Sequence, residues 1–222
     1  FPCIYGERVG LGRSYVKQKA LDYADWVRGL RDGRNYVSDG KSHFIDFRVG
    51  AAVMGTGDSE LKLQSPGVVK ASVKVAALLD TAADPAFKGL APEQRPYWDI
   101  EKARIAGSRR VPVELVVNGE VAATKEIDAD GAMRDLTFDV KIDRSSWLAV
   151  RILPSSHTNP VWVSVAGKPV REAKSIEWCI KAVDTCFNQK IGRVRIEEKG
   201  EMKKAYDFAR DEYKKMLTEV MK

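Results

Sequence analysis

Histidine and cysteine are the scarce residues of this chain: 222 residues hold two histidines, His43 and His157, and three cysteines, Cys3, Cys179 and Cys186. A catalytic zinc site ordinarily takes three protein ligands. Two histidines and thiols on or near apolar faces therefore argue against a complete metal site inside the chain. No CxxC is present, and Cys179 and Cys186 lie seven apart on one expected helix, ~10 Å between Cα atoms at 1.5 Å per residue, too far for a bridge. Buried free thiols are the expectation, with a Cys3 bridge to either left open. No apolar run approaches the ~18 residues of a membrane span. A signal peptide is not legible at Phe1-Pro2-Cys3, which lacks a charged n-region and an apolar h-region, and the start reads as the middle of something longer. The compartment stays open, export included. The glycines Gly6, Gly10 and Gly12 are spaced GxxxGxG, neither the dinucleotide fingerprint nor the P-loop, so residues 1–14 read as a structural loop.

Charge is plentiful but dispersed. Lys and Arg total 37 against 31 Asp and Glu, a net +6 spread along the chain rather than gathered in a stripe, which argues against a nucleic-acid partner. Apolar residues make up 44 %, enough for a sizeable core.

The informative feature is alternation. Val111, Val113, Leu115 and Val117 share one strand face, and Asn118-Gly119 supplies the positive-φ pair of a type I′ hairpin. Leu136, Phe138, Val140 and Ile142 repeat the period of two, as do Val161, Val163 and Val165, and earlier Val69, Ala71, Val73, Val75 and Ala77 against Lys70, Ser72 and Lys74. Glu60 to Gln64 reads as a short strand closed by Ser65-Pro66-Gly67, and two short strands flank the Ser38-Asp39-Gly40 turn. Strands at this spacing predict an antiparallel, immunoglobulin-like β-sandwich over 42–168. Helical spacing predicts a helix at about 15–31 capped by Ser14, another at about 172–188 capped by Ser175, and a third at about 200–221. The fold class is therefore mainly β with flanking helices (α+β), organised as 1–41, 42–168 and 169–222. The last two helices are amphipathic and need an apolar surface: the sandwich, a neighbouring domain or a second copy in a homo-oligomer. Asp80 to Pro96, 17 residues with three prolines, is long for a compact domain and reads as an ordered flap or a moving one; Trp98 to Ile105 reads as extended.

Candidate chemistry is thin. Ser155 and Ser156 beside His157 invite a nucleophile reading, but neighbours in an extended segment point apart and no nucleophile elbow surrounds them. A polar turn, with Thr158 and Asn159 bonding the backbone and Pro160 interrupting the ladder, is the expectation. Asp128, Asp130 and Asp135 around Gly131 lack EF-hand spacing and read as a hairpin tip. Trp98, Trp147 and Trp162 could form a sugar-stacking platform, although Trp162 is expected to lie covered beneath a helix.

The segments FPCIYGERVGLGRSYVK, WVRGLRDGRNYVSDGKSHFIDF, RRVPVELVVNGE, SSWLAVRILPSSHTNPVWV and SIEWCIKAVDTC, the last followed by AYDFARDEYKKML, together resemble the C-terminal part of carbaryl-hydrolase-like metallohydrolases that carry a polymerase-and-histidinol-phosphatase (PHP) metal domain. The resemblance implies a parent that hydrolyses ester, carbamate or phosphate-type bonds with metal-activated water. It also implies that the divalent metal and its ligands belong to a domain before Phe1, so that this chain carries no cofactor and no catalytic residue of its own. Residues 1–41 would be the tail of that domain, and the missing domain would be the chief partner. Under the same resemblance the loop after the metal domain makes Tyr5, Glu7, Arg8 and Arg13 the cleft-lining candidates, with His157 and Asn159 a second set. The rival expectation is a free-standing sandwich that binds carbohydrate or protein.

Overall fold

A computed structural model describes residues 12–55, 59–91, 94 and 98–220, and they divide into two compact units between Lys168 and Pro169. The first holds twelve strands: β1 (Arg13–Val16), β2 (Asn35–Ser38), β3 (Ser42–Val49), β4 (Ala52–Val53), β5 (Glu60–Leu63), β6 (Gly67–Ala77), β7 (Arg110–Val117), β8 (Glu120–Asp128), β9 (Arg134–Ile142), β10 (Ser146–Ile152), β11 (Ser156–Thr158) and β12 (Val161–Val165). It also holds helix α1 (Tyr23–Arg31), the single turn α2 (Pro85–Lys88) and a 3-10 turn at Ile100–Ala103.

The smaller sheet runs β4-β3-β6-β9. In the larger, β10 is central: β7 and then β8 lie on one side, β11 and β12 on the other, with β2 and β1 beyond β11 and β5 beyond β12. The inward residues meet in one core, with Val69, Ala71, Val73 and Val75 from β6 facing Val113, Leu115, Leu148, Val150 and Val163 from the larger sheet. The architecture is the expected one, mainly β in two layers, because each strand with strict alternation buries one face and wets the other. Every strand pair is antiparallel except β5–β12, a four-residue parallel edge running from Glu60 opposite Trp162 to Leu63 opposite Val165. That edge arises because the chain leaves the smaller sheet after β4 and joins the larger one at β5, a sheet-switching corner.

Other expectations need correction. Residues 13–16 form β1, not the start of a helix, because Tyr15 and Val16 pair with Tyr36 and Asn35 of β2; α1 begins at Tyr23, capped by the Asp22 carboxylate, which accepts from Asp25 N–H at 2.6 Å. Ser14 therefore caps nothing. Strands β2 and β3 flank the Ser38–Lys41 turn as expected but lie in different sheets. Residues 100–103 curl into the 3-10 turn rather than extending. The segment around Gly131 is a crossover between sheets, not a hairpin tip, and its carboxylates are paired with cations: Arg134 donates to both Asp130 oxygens at 2.8 and 2.9 Å, Asp128 lies beside Arg110 and Arg134, and Asp135 beside Lys74. The Arg134 pairing holds the Asp130 carboxyl well below the usual range. At the Asn118-Gly119 turn, φ values of 51° and 93° match the type I′ requirement.

The second unit is a hairpin of α3 (Ala173–Lys190) and α4 (Lys199–Val220). The first helix starts before Ser175, with Glu172 at its N-cap and no side-chain cap bond. Phe187 and Tyr206 pack with ring centres 5.4 Å apart, and Arg210 lies over the Phe187 ring while pairing with Asp184 and Asp207. Cys179 and Cys186 are free thiols, the latter 3.1 Å from the Tyr206 hydroxyl; Cys3 lies outside the described residues. No helix among the described residues is long and apolar enough to cross a membrane.

Candidate functional site

The outer face of the larger sheet is built in three cross-strand rows. In the first, Trp147 of β10 stands directly opposite Trp162 of β12, with Glu60 of β5 next in line. In the second, Ala149 is opposite Val116 of β7; both are nearly sealed, at 9 % and 4 % exposure, yet neither belongs to the core between the sheets. In the third, Arg151 sits between Glu114 of β7 and His157 of β11. Large side chains at both ends and small ones between them leave a groove of about 450 Å³, walled along one side by Asn159 and Pro160 and at the far end by the Leu153-Pro154 turn. The Trp162 indole is 44 % exposed. Trp98 is not among the groove residues.

Local chemistry fixes the walls. The Asn118 side-chain oxygen accepts from Trp147 N–H at 3.0 Å and its amide donates to Ser146 Oγ at 3.1 Å, so the hairpin turn also anchors the start of β10. Pro160 cannot donate to the ladder. Around this break Thr158 Oγ1 accepts from Val150 N–H at 3.0 Å and the Asn159 amide donates to Asn35 O at 3.0 Å, the backbone-bonding roles expected of both residues, although residues 156–158 are strand rather than turn. Arg151 Nε donates to Glu114 Oε2 at 2.6 Å, so the charges of the third row cancel.

Ser156 and His157 point apart, as neighbours in a strand must. The Ser156 hydroxyl is buried and accepts from Ser42 Oγ at 2.6 Å, whereas His157 is exposed with Nδ1 3.0 Å from Thr158 O. They are no nucleophile–base pair. Of the other candidates, Tyr5, Glu7 and Arg8 lie outside the described residues. Arg13 begins β1, two strands from His157, but in register with Ser38, so the period of two puts it on the opposite face of the sheet. His157 and Asn159 line the groove together; Arg13 does not. Sequence alone offered Trp147 and Trp162 as a platform, but the floor of Val116 and Ala149 follows from register, which no local pattern displays. Among the described residues no cluster of three or more His, Cys, Asp or Glu side chains is placed to hold a metal ion.

A second cleft of about 250 Å³ lies between β1–β2 and β3–β4, floored by Phe44 and Phe47. Beside it, Tyr15 stacks on Tyr36 at 5.0 Å, and the Tyr36 hydroxyl is 2.8 Å from His43 Nδ1. Burial pushes the Tyr36 phenol up to about 12, helped by Tyr15. Burial also pulls the His43 imidazole below its ordinary range; Asp39 draws it back up and the Arg13 guanidinium lowers it again. A histidine depressed in the fold costs nothing above its unfolded pKa of about 6.5, where both states are neutral. As pH falls through that value the unfolded chain protonates first, and stability falls until the folded-state pKa is passed. Urea midpoints measured from neutral pH downward should drop in this window, and the drop should shrink in His43→Asn; an unchanged drop in that variant would refute the assignment.

A β-sandwich with a preformed, aromatic-walled groove on its outer sheet is the class of protein these features define. The chain matches no family model and no curated protein sequence.

Proposed function

We propose that this chain is a non-catalytic recognition and support region of a metal-dependent hydrolase of the ester, carbamate or phosphoester class. In this reading the metal-bearing domain precedes Phe1 and the groove of the sandwich presents a ligand or neighbouring surface to it. The observation that carries the recognition role is the groove itself: its walls stand on hydrogen-bonded strands, its Arg151–Glu114 pair is internally neutralised, and its His157 Nδ1 lies against Thr158 O while the Ser156 hydroxyl is turned to Ser42. Such a site binds and orients. The hydrolase attribution is supported by the five ordered segments that resemble the carbaryl-hydrolase-like group. The same groove equally favours a free-standing binding module.

Two measurements test these readings. The purified chain, supplied with zinc or manganese, should hydrolyse p-nitrophenyl acetate, p-nitrophenyl phosphate and a naphthyl carbamate no faster than the metal in buffer. Turnover abolished by chelation and restored by metal would overturn the non-catalytic role. A polypeptide that includes the coding sequence before Phe1 should bind about one or two metal ions and gain that turnover. A signal peptide directly before Phe1 would instead favour the free-standing module.

A further inference from the structure

The recognition role proposed above leaves the ligand class open, and the groove's chemistry narrows it. We infer that the groove binds a neutral sugar, with a pyranose ring stacked on Trp162 and its hydroxyls directed toward the Arg151–Glu114 pair and His157. Resting on that reading, this inference commits to one occupant for four reasons.

The first is charge. The arginine in the groove is paired with Glu114, and Glu60, in register beside Trp162, is followed on the same face of β5 by Lys62, so the groove carries no net positive charge to favour an anion such as a phosphodiester. The second is the gradient of polarity along the groove. An indole wall and a floor of Val116 and Ala149 suit the C–H face of a ring, and toward the third row the groove is lined by the Arg151 guanidinium, itself held on Glu114, and by the His157 ring, polar groups that suit hydroxyls. A wholly apolar ligand would strip water from those polar groups without replacing its hydrogen bonds. The third is rigidity. Both tryptophans sit on paired strands and Asn118 clamps the backbone of Trp147, so little backbone freedom is lost on stacking. The fourth is size, since about 450 Å³ falls among ordinary small-molecule pockets.

The test is a titration of the whole chain with soluble gluco-, manno- and chito-oligosaccharides to millimolar concentration, followed by the indole N–H signals of its five tryptophans in ¹H–¹⁵N spectra. Saturable shifts concentrated on Trp147 and Trp162 with at least one sugar are expected, with an affinity that does not change as salt is raised. Trp162→Ala should weaken binding about tenfold or more and Trp162→Phe should restore much of it. Because Trp162 is 44 % exposed, the melting temperature of either variant should stay close to that of the parent chain. Absence of shifts with every sugar, or shifts that survive Trp162→Ala, would overturn the inference. A proline-rich peptide titrated in parallel separates the two levels: Trp162-dependent peptide binding without sugar binding refutes the sugar and leaves the recognition role standing, whereas failure of both refutes both.

Discussion

Replacing Arg104 by alanine should lower the free energy of unfolding by about 3–5 kcal/mol, the largest effect expected of any surface-to-core charge in the first unit. The reason is a buried, fully engaged guanidinium. The Arg104 and Glu101 side chains are 3 % and 8 % exposed; Nε and Nη2 donate to the two Glu101 carboxylate oxygens, Nη1 to Ser108 O at 3.0 Å, and Nη2 also to Asp80 O at 2.7 Å. This one side chain therefore ties the start of the 80–98 connection to the turn before β7. Truncating it strands a buried carboxylate and removes the guanidinium donor from three backbone carbonyls, those of Ser108, Asp80 and Ala82. The Glu101→Leu/Arg104→Met double variant separates these costs. It removes the unpaired charge and should recover part of the loss, remaining below the parent by about 1–3 kcal/mol for the carbonyls left unbonded. Urea denaturation of the three proteins measures this. A single variant within about 1 kcal/mol of the parent would mean that water reaches Glu101 and that the pair is not sealed. Amide exchange over residues 80–91 should also quicken in Arg104→Ala, which would answer the open alternative for that connection in favour of an ordered flap held by a named side chain.

How much of this could be seen in the sequence divides by the range of the interactions. Strands whose inward face repeats strictly, β6 with Val69, Val73 and Val75 and β7 with Val111, Val113 and Leu115, were legible because alternation and burial are the same fact read twice. So was the Asn118-Gly119 turn, where the backbone demand is local. Residues 13–16 were not: Val16, Ala20, Tyr23, Val27 and Leu30 do fall at helical spacing, and what makes Arg13–Val16 a strand is its partner some twenty residues on, itself held by β11 from the far end of the sandwich. The candidate site divides the same way. That Trp162 faces away from Val161 and Val163 follows from alternation; that it meets Trp147, and that Ala149 and Val116 leave a hollow beside them, follows from the register of three strands. The hydrolase resemblance rests on ordered segments and says nothing of the groove, and the groove says nothing of the metal.

Strand β3 shows the limit of alternation most sharply and carries the second large effect. Phe44 and Phe47 are both buried, at 1 % and 0 % exposure, although three residues apart they should face opposite ways. The register with β6 slips between Ile45 and Arg48, and Asp46 has φ of 56°, a left-handed conformation that aspartate tolerates better than most residues. This β-bulge inserts one residue, re-aims the strand and returns Phe47 and Val49 to the core. Phe47→Ala should therefore cost about 3–5 kcal/mol, the range for emptying a sealed phenylalanine site. Ile45→Ala, two residues away and 38 % exposed, should cost under about 1 kcal/mol. Were β3 unbulged, the residue facing the core between Phe44 and Val49 would be Asp46, and Phe47 would stand on the wet face beside Ile45. The comparison of Phe47→Ala with Ile45→Ala reads out the bulge directly: equal, small losses would place Phe47 outside the core. Asp46→Gly probes the same point from the backbone. It relaxes the positive φ but removes the ion pair with Lys17, an exposed partner, so the net change should stay within about 1 kcal/mol of zero. Asp46→Val, a β-branched residue poorly suited to that conformation, should destabilise by more than the glycine does. If valine is tolerated as well as glycine, the strand has straightened and the placement of Phe47 is wrong.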